Sequence, residues 1–182
     1  RRALCRGKPF CFLMNTDFSA FSYEDSERFM KRALAYGMFP GYFSADASTG
    51  HYFTRPELYN RDRPLFKKYV PLCRLVAEAG WEPVTGARSD NAAVTLERFG
   101  WQPGLCYLTV FNQSEARQRA VVTLTALAQP SACRDLVRDA AVTWQERRTT
   151  VELDAGDVCV LAFTGPYAGD VLAEDVRVDE VK

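Results

Sequence analysis

A single histidine, His51, is all that 182 residues offer, and none of the six cysteines forms a CxxC pair. A zinc site of the usual Cys/His kind therefore lacks ligands, and no metal is expected. Neither GxGxxG nor GxxxxGK[ST] occurs. Without a glycine loop to cradle phosphates, dinucleotide and nucleotide cofactors have no support, and no cofactor is expected. GxSxG is missing too, so the nearby Ser44, Asp46 and His51 lack a nucleophile elbow. No sign of charge prevails: 23 basic residues meet 23 acidic ones. That leaves no broad basic field for a phosphate backbone, and nucleic acid is not an expected partner. No apolar run reaches the roughly 18 residues a membrane span needs, so no membrane partner is expected. Internal repeats and low-complexity segments are absent as well.

What is present describes a folded globular chain. Hydrophobic residues make up 47% and charged residues 25%. That is enough apolar material for one sizeable core or two small ones. Cys5, Cys11, Cys73, Cys106, Cys133 and Cys159 lie mostly in apolar surroundings such as FCFLM and VCVLAF. They read as buried free thiols, since a chain of this length can build a core without disulfides. The opening RRALCRGKPFCFLM runs straight into Asn15 and Asp17 with no small-residue cleavage site, unlike a signal peptide. It starts at Arg1 rather than Met and reads as beginning inside a longer protein.

Residues 9–14 (PFCFLM) form a short unbroken apolar run, as expected of a strand buried on both faces of a parallel sheet. Ser22 and Asp25 have capping-box spacing before a helix over 23–36, whose stripe is Phe29, Met30, Ala33 and Leu34. Gly37 is placed to end it. Residues 38–43 (MFPGYF) read as a second strand, and 47–62 as a long irregular, aromatic-rich stretch. Asp62 and Pro64 look like cap and first turn of a second helix, kinked at Pro71 and stopped by Gly80. Two strands cannot cover a parallel sheet, so this β–α–β–α half calls for strands from elsewhere.

The pattern changes after residues 88–91. Strands are expected at 94–99, 106–111, 120–127, 142–144, 149–153 and 157–163, with 133–137 as a further short one. Six or seven short strands separated by polar turns describe an antiparallel β-sandwich. The alternating tail VRVDEV suits an additional edge strand.

Ligands of parallel sheets gather at the C-terminal ends of the strands. Asn15, Asp17 and Asp46 occupy those ends, and His51 and Tyr52 sit in the aromatic stretch beyond. These five are the candidate substrate-binding residues: carboxylates suit acid/base work on a glycosidic bond, and aromatic faces stack on sugar rings. Asp and Asn also serve as plain caps and turn residues at such ends. Trp81, Trp101 and Trp144 read as core or interface packing, and Arg147 with Arg148 as a solvated turn.

VTLERFG (94–100), CYLTVFNQS (106–114) and TTVELDAGDVCVLAF (149–163) resemble the C-terminal sandwich of retaining glycoside hydrolases. Those enzymes join a (β/α)8 barrel to such a domain. KPFCFLMNTD resembles barrel strand 7, MFPGYFSAD strand 8, and LFKKYVPLCRLVAEAGWEPVTGA the last helix. The resemblance implies an α/β region followed by an all-β region: the last barrel units over 1–87 and the sandwich over 88–182. It implies a glycan substrate reached through the parent barrel, and the N-terminal remainder of that parent as partner. The catalytic carboxylates of such enzymes sit on middle strands, which would precede Arg1, so the fragment alone is expected to be inactive. The alternative is a non-catalytic carbohydrate-binding or structural module.

Overall fold

The computed structural model describes residues 10–16, 20–44, 52–102 and 105–164. Strands β1 (Phe10–Thr16) and β2 (Met38–Ser44) pair in parallel without a register shift, from Phe10 opposite Met38 to Thr16 opposite Ser44. Helix α1 (Tyr23–Ala35) crosses between them. Its expected capping box is complete: Ser22 Oγ accepts from the Asp25 N–H at 3.0 Å, and Asp25 accepts from the Ser22 N–H at 3.0 Å. Gly37 follows at φ 61°, and a Cβ there would collide with the Phe99 ring. The turn therefore needs glycine both for its backbone and for its close approach to the sheet behind.

Helix α2 runs over Pro56–Ala79, so it begins well before the expected cap at Asp62 and takes up part of the stretch read as irregular. Pro56 holds the first turn, whereas Pro64 and Pro71 lie inside the helix. An interior proline costs about 3 kcal/mol. Burial of Leu58, Leu65, Tyr69, Cys73 and Val76 offsets that, at roughly 1.5–3 kcal/mol for each large side chain. Asp62 faces the same way and is buried within the helix rather than capping it. Gly80 ends the helix as expected.

The remaining strands are β3 (Trp81–Glu82), β4 (Ala87–Ser89), β5 (Val94–Gln102), β6 (Leu105–Asn112), β7 (Gln118–Leu124), β8 (Ala132–Asp135), β9 (Ala140–Ala141), β10 (Arg148–Leu153) and β11 (Val158–Thr164). They form two antiparallel sheets, a large one ordered β3-β5-β6-β11-β8-β9 and a small one ordered β10-β7-β4. Residues 142–144 lie outside any strand, contrary to expectation. There the Val142 N–H bonds the Cys133 carbonyl while Trp144 turns in against Phe163. The expected division at 87/88 falls inside β4, and β3 already pairs with β5 upstream of it.

Two apolar clusters share the large sheet. Between the two sheets lie Val94, Leu108, Val110, Val122, Leu153, Cys159, Leu161 and Phe163. On the other face Phe99, Phe111, Val158 and Val160 meet Phe29, Met30, Leu34, Tyr69 and Val76 of the helices. Alternate residues of VCVLAF thus enter different cores, which is why β11 reads as continuously apolar.

Among the described residues the parallel pair is covered on one face only. Phe12 and Tyr42 pack on Phe29, with ring centroids 5.0 and 5.4 Å away. On the opposite face Leu13 is 63% exposed and Cys11 is exposed. This corrects two expectations, that the first strand is buried on both sides and that all the cysteines are buried. Cys73, Cys106, Cys133 and Cys159 are buried free thiols, and Cys5 lies outside the described residues. Among the described residues the chain is a mixed α/β region followed by antiparallel sheets, with no closed barrel.

Candidate functional site

Because β1 and β2 are parallel and in register, the chain leaves both at the same end of the sheet. Asn15 lies there in β1, opposite Phe43. Asp17, Asp46 and His51 follow in sequence and lie outside the described residues. Tyr52 opens a short 3-10 turn, and its side chain is fully buried. Its ring stacks on Tyr42 at 4.6 Å and its hydroxyl donates to Asp62 Oδ2 at 3.0 Å, so it faces the core rather than an open cleft.

Asp62 is the centre of this end of the molecule. Its carboxylate is 0% exposed yet well supplied with donors. Arg61 grips both oxygens, Nε to Oδ1 at 2.6 Å and Nη2 to Oδ2 at 3.0 Å. Ser26 Oγ donates to Oδ2 at 3.0 Å. A buried carboxylate persists only when paired and hydrogen-bonded in this way. The Asp62 hydrogen bond holds the Arg61 guanidinium above its ordinary range. Burial first, and then Asp62, push the Tyr52 hydroxyl up, and burial does the same for Tyr42. Both phenols stay neutral at any physiological pH, and Tyr52 remains a donor to Asp62.

The cluster reaches one described residue downstream of each strand. Arg61 Nη1 donates to the Phe21 carbonyl at 2.7 Å, in the segment after β1. Tyr52 belongs to the segment after β2 and is held by Asp62. One pair of adjacent residues on α2 thus holds a described residue downstream of each strand, Phe21 after β1 and Tyr52 after β2. Arg61, Asp62 and Ser26 were not among the expected site residues. A signal was available: Leu58, Asp62, Leu65 and Tyr69 share one helical face, and a lone carboxylate in an apolar stripe must find a buried partner.

Beside β1 a cavity of about 270 Å³ opens between the strand and α1, lined by Phe12, Leu13, Phe21, Phe29, Arg28 and Arg32 among others. It lies on the flank where β1 has no strand neighbour among the described residues. The tryptophans do not line it. Trp81 donates to Glu97 at 2.6 Å and packs against the helical core, and Trp144 meets Phe163 edge-on. The Trp101 side chain lies outside the described residues. Glu146 and Arg147 form a tight turn with φ 48° and 62°, and Arg147 Nη2 donates to the Thr125 carbonyl at 2.5 Å. Among the described residues no group of three or more His, Cys, Asp or Glu side chains could hold a metal ion, and no helix is long and apolar enough to cross a membrane.

No family model matches the chain, and no curated protein matches its sequence. Solved structures do match in fold. The alpha-galactosidase I of Mortierella vinacea aligns with a TM-score of 0.50 and 11% identity over 87% of this chain and 40% of that one. A noncanonic maltogenic alpha-amylase from Thermotoga neapolitana gives 0.49 and 12%, over 80% of this chain and 38% of that one. A GH27 β-L-arabinopyranosidase from Geobacillus stearothermophilus gives 0.45 and 15%, over 80% and 31%. At 11% identity the likeness to the Mortierella enzyme is one of fold alone. The chain spans about 40% of the length of the Mortierella enzyme.

Proposed function

We propose that this chain is the C-terminal part of a glycoside hydrolase, with the last barrel units followed by a sandwich that supports them and already includes β3 and β4. The observation that carries the reading is the bare face of the parallel pair. Cys11 and Leu13 are exposed on a strand whose other face is packed, beside a cavity on its open flank lined by both aromatic and charged side chains. Such a face is stable when further strands curl round to cover it.

In this reading Asn15, Asp17, Asp46 and His51 border the sugar site, and Tyr52 supports it from below through Asp62. The carboxylates that act as nucleophile and acid/base belong to strands outside the 182 residues. The substrate is a glycan, the partner is the N-terminal remainder of the parent, and the reaction needs no cofactor. The test compares this chain with the longer protein that contains it on a panel of nitrophenyl glycosides. Hydrolysis by the longer protein, weakened by Asp17→Asn or Asp46→Asn and absent from this chain alone, is the expected result. Glycan binding without hydrolysis by the longer protein would replace this reading with that of a non-catalytic carbohydrate-binding module. Neither binding nor hydrolysis would leave a structural module.

A further inference from the structure

The small sheet turns one face to the core and the other away from it. Val122, Leu124 and Leu153 lie in the cluster between the sheets, with Ala87 packed against it. Side chains alternate along a strand, so Arg88 on β4, Thr123 on β7 and Arg148 on β10 point the other way. The register sets these three in one row: Thr123 stands opposite Arg148 on one side and opposite Arg88 on the other. Residues directly opposite have Cα atoms about 5 Å apart. Both guanidinium groups can therefore lean over the same threonine hydroxyl.

The two arginines are exposed, and neither has an ion pair or a side-chain hydrogen bond with a described residue. Carboxylates on or next to these strands are engaged elsewhere. Glu152 and Asp154 bind Arg117, and Asp90 accepts from the Val121 N–H at 2.7 Å. Glu146, in the turn before β10, is the exception.

Beside Thr123 the surface sinks into an open depression of about 650 Å³, lined also by Val84, Thr125, Glu146 and Arg147. Val84 is 57% exposed. The Arg147 bond to the Thr125 carbonyl pins the turn that leads to Arg148. Two arginine forks aimed at one point suit an oxyanion, which they grip with paired N–H donors. The depression adds hydroxyls, one carboxylate acceptor and an apolar side chain. That mixture suits a ring with both hydroxyl groups and C–H faces.

We propose that this face binds an acidic saccharide, one that carries sulfate or carboxylate groups. Arg88 and Arg148 hold the anionic group over Thr123, and the sugar ring lies in the depression against Val84. The saccharide rests on the glycosidase reading, whereas the oxyanion cradle rests on the strand register. The helices pack on the far face of the large sheet, so the cradle lies on the opposite side of the sandwich from them. Its role is to hold a polymer rather than to cut it.

Amide NMR shifts at Arg88, Thr123 and Arg148 of the full chain test it during titration with oligosaccharides. A heparin tetrasaccharide, a tetragalacturonate or both should shift them saturably, and the one that binds names the anionic group. Neutral maltotetraose should not. Arg88→Gln/Arg148→Gln should weaken binding by about ten-fold or more. Arg74→Gln, at an exposed arginine on α2, should leave it unchanged. No shift with either acidic saccharide, or equal weakening by Arg74→Gln, overturns the proposal. Inorganic sulfate or polyglutamate binding as tightly as the saccharide also overturns it, by reducing the face to a patch of positive charge. Saccharide binding at these residues in a longer protein that hydrolyses no glycoside upholds this face while removing the enzyme.

Discussion

The antiparallel and parallel parts of this molecule solve the same problem to different degrees. Strand β11 is enclosed on both faces: Val158 and Val160 meet the helices, and Cys159, Leu161 and Phe163 meet the second sheet. Strand β1 is enclosed on one: Phe12 is packed, whereas Cys11 and Leu13 are exposed. Sheets closed from both sides complete their own core. A two-stranded parallel sheet does not, because its crossover helix covers only one of its faces.

Substitutions measure the contrast. The largest effect is expected where the open half relies on charge. Arg61→Ala leaves the Asp62 carboxylate buried without its cation, and should cost about 3–5 kcal/mol in a denaturant melt. Asp62→Asn should cost less, since the neutral amide needs no counter-charge. Equal losses would mean that the pair acts through shape alone. In the closed half, Leu161→Ala should cost about 2–5 kcal/mol by emptying the core between the sheets.

At the capping box Ser22→Ala should cost about 1 kcal/mol. The same hydrogen bonds from Ser22 hold the Asp25 carboxyl below its ordinary 3.8. A depressed folded value means that this stabilisation is present above the unfolded value and fades as the pH falls through the folded one. An NMR titration should find Asp25 returning toward 3.8 in the Ser22→Ala variant. The smallest effect belongs to Leu13→Ala. With the side chain 63% exposed, the change should stay within about 0.5 kcal/mol in this chain. In a longer protein whose strands cover that face it should rise to about 2 kcal/mol or more. A small loss in both settings would count against those strands.

Thiol chemistry draws the same line. Burial pushes Cys73 up to about 12 and Cys133 up to about 11, whereas Cys11 is exposed. A thiol reagent at neutral pH should modify Cys11 first and leave Cys73, Cys106, Cys133 and Cys159 until the chain unfolds.

Local signals were legible before any coordinates. Ser22 with Asp25 announced the start of α1, Gly37 and Gly80 marked turns, and the alternation at 94–99 and 149–153 announced strands. Each rests on groups a few residues apart, where capping bonds, φ preference and two-residue periodicity act. The start of α2 was hidden, because Asp62 before Pro64 has the form of a cap. Its actual role requires Ser26, which lies 36 residues away. Of the candidate site, the shared end of the two strands was legible from their apolar runs and polar termini. The clamp beneath it was not, since Arg61 and Asp62 are neighbours in sequence whose partners come from three other segments.

The order of residues was sufficient for two kinds of region, a β–α–β–α stretch and then a series of short strands, because hydrophobic periodicity and turn chemistry are short-range. It could not say that VCVLAF would serve two cores, that the helices would lie on the outer face of the larger sheet, or that Asp62 would be sealed in beside Arg61. Those outcomes depend on which surfaces meet. That choice is made by burying area and satisfying charge across the whole fold at once.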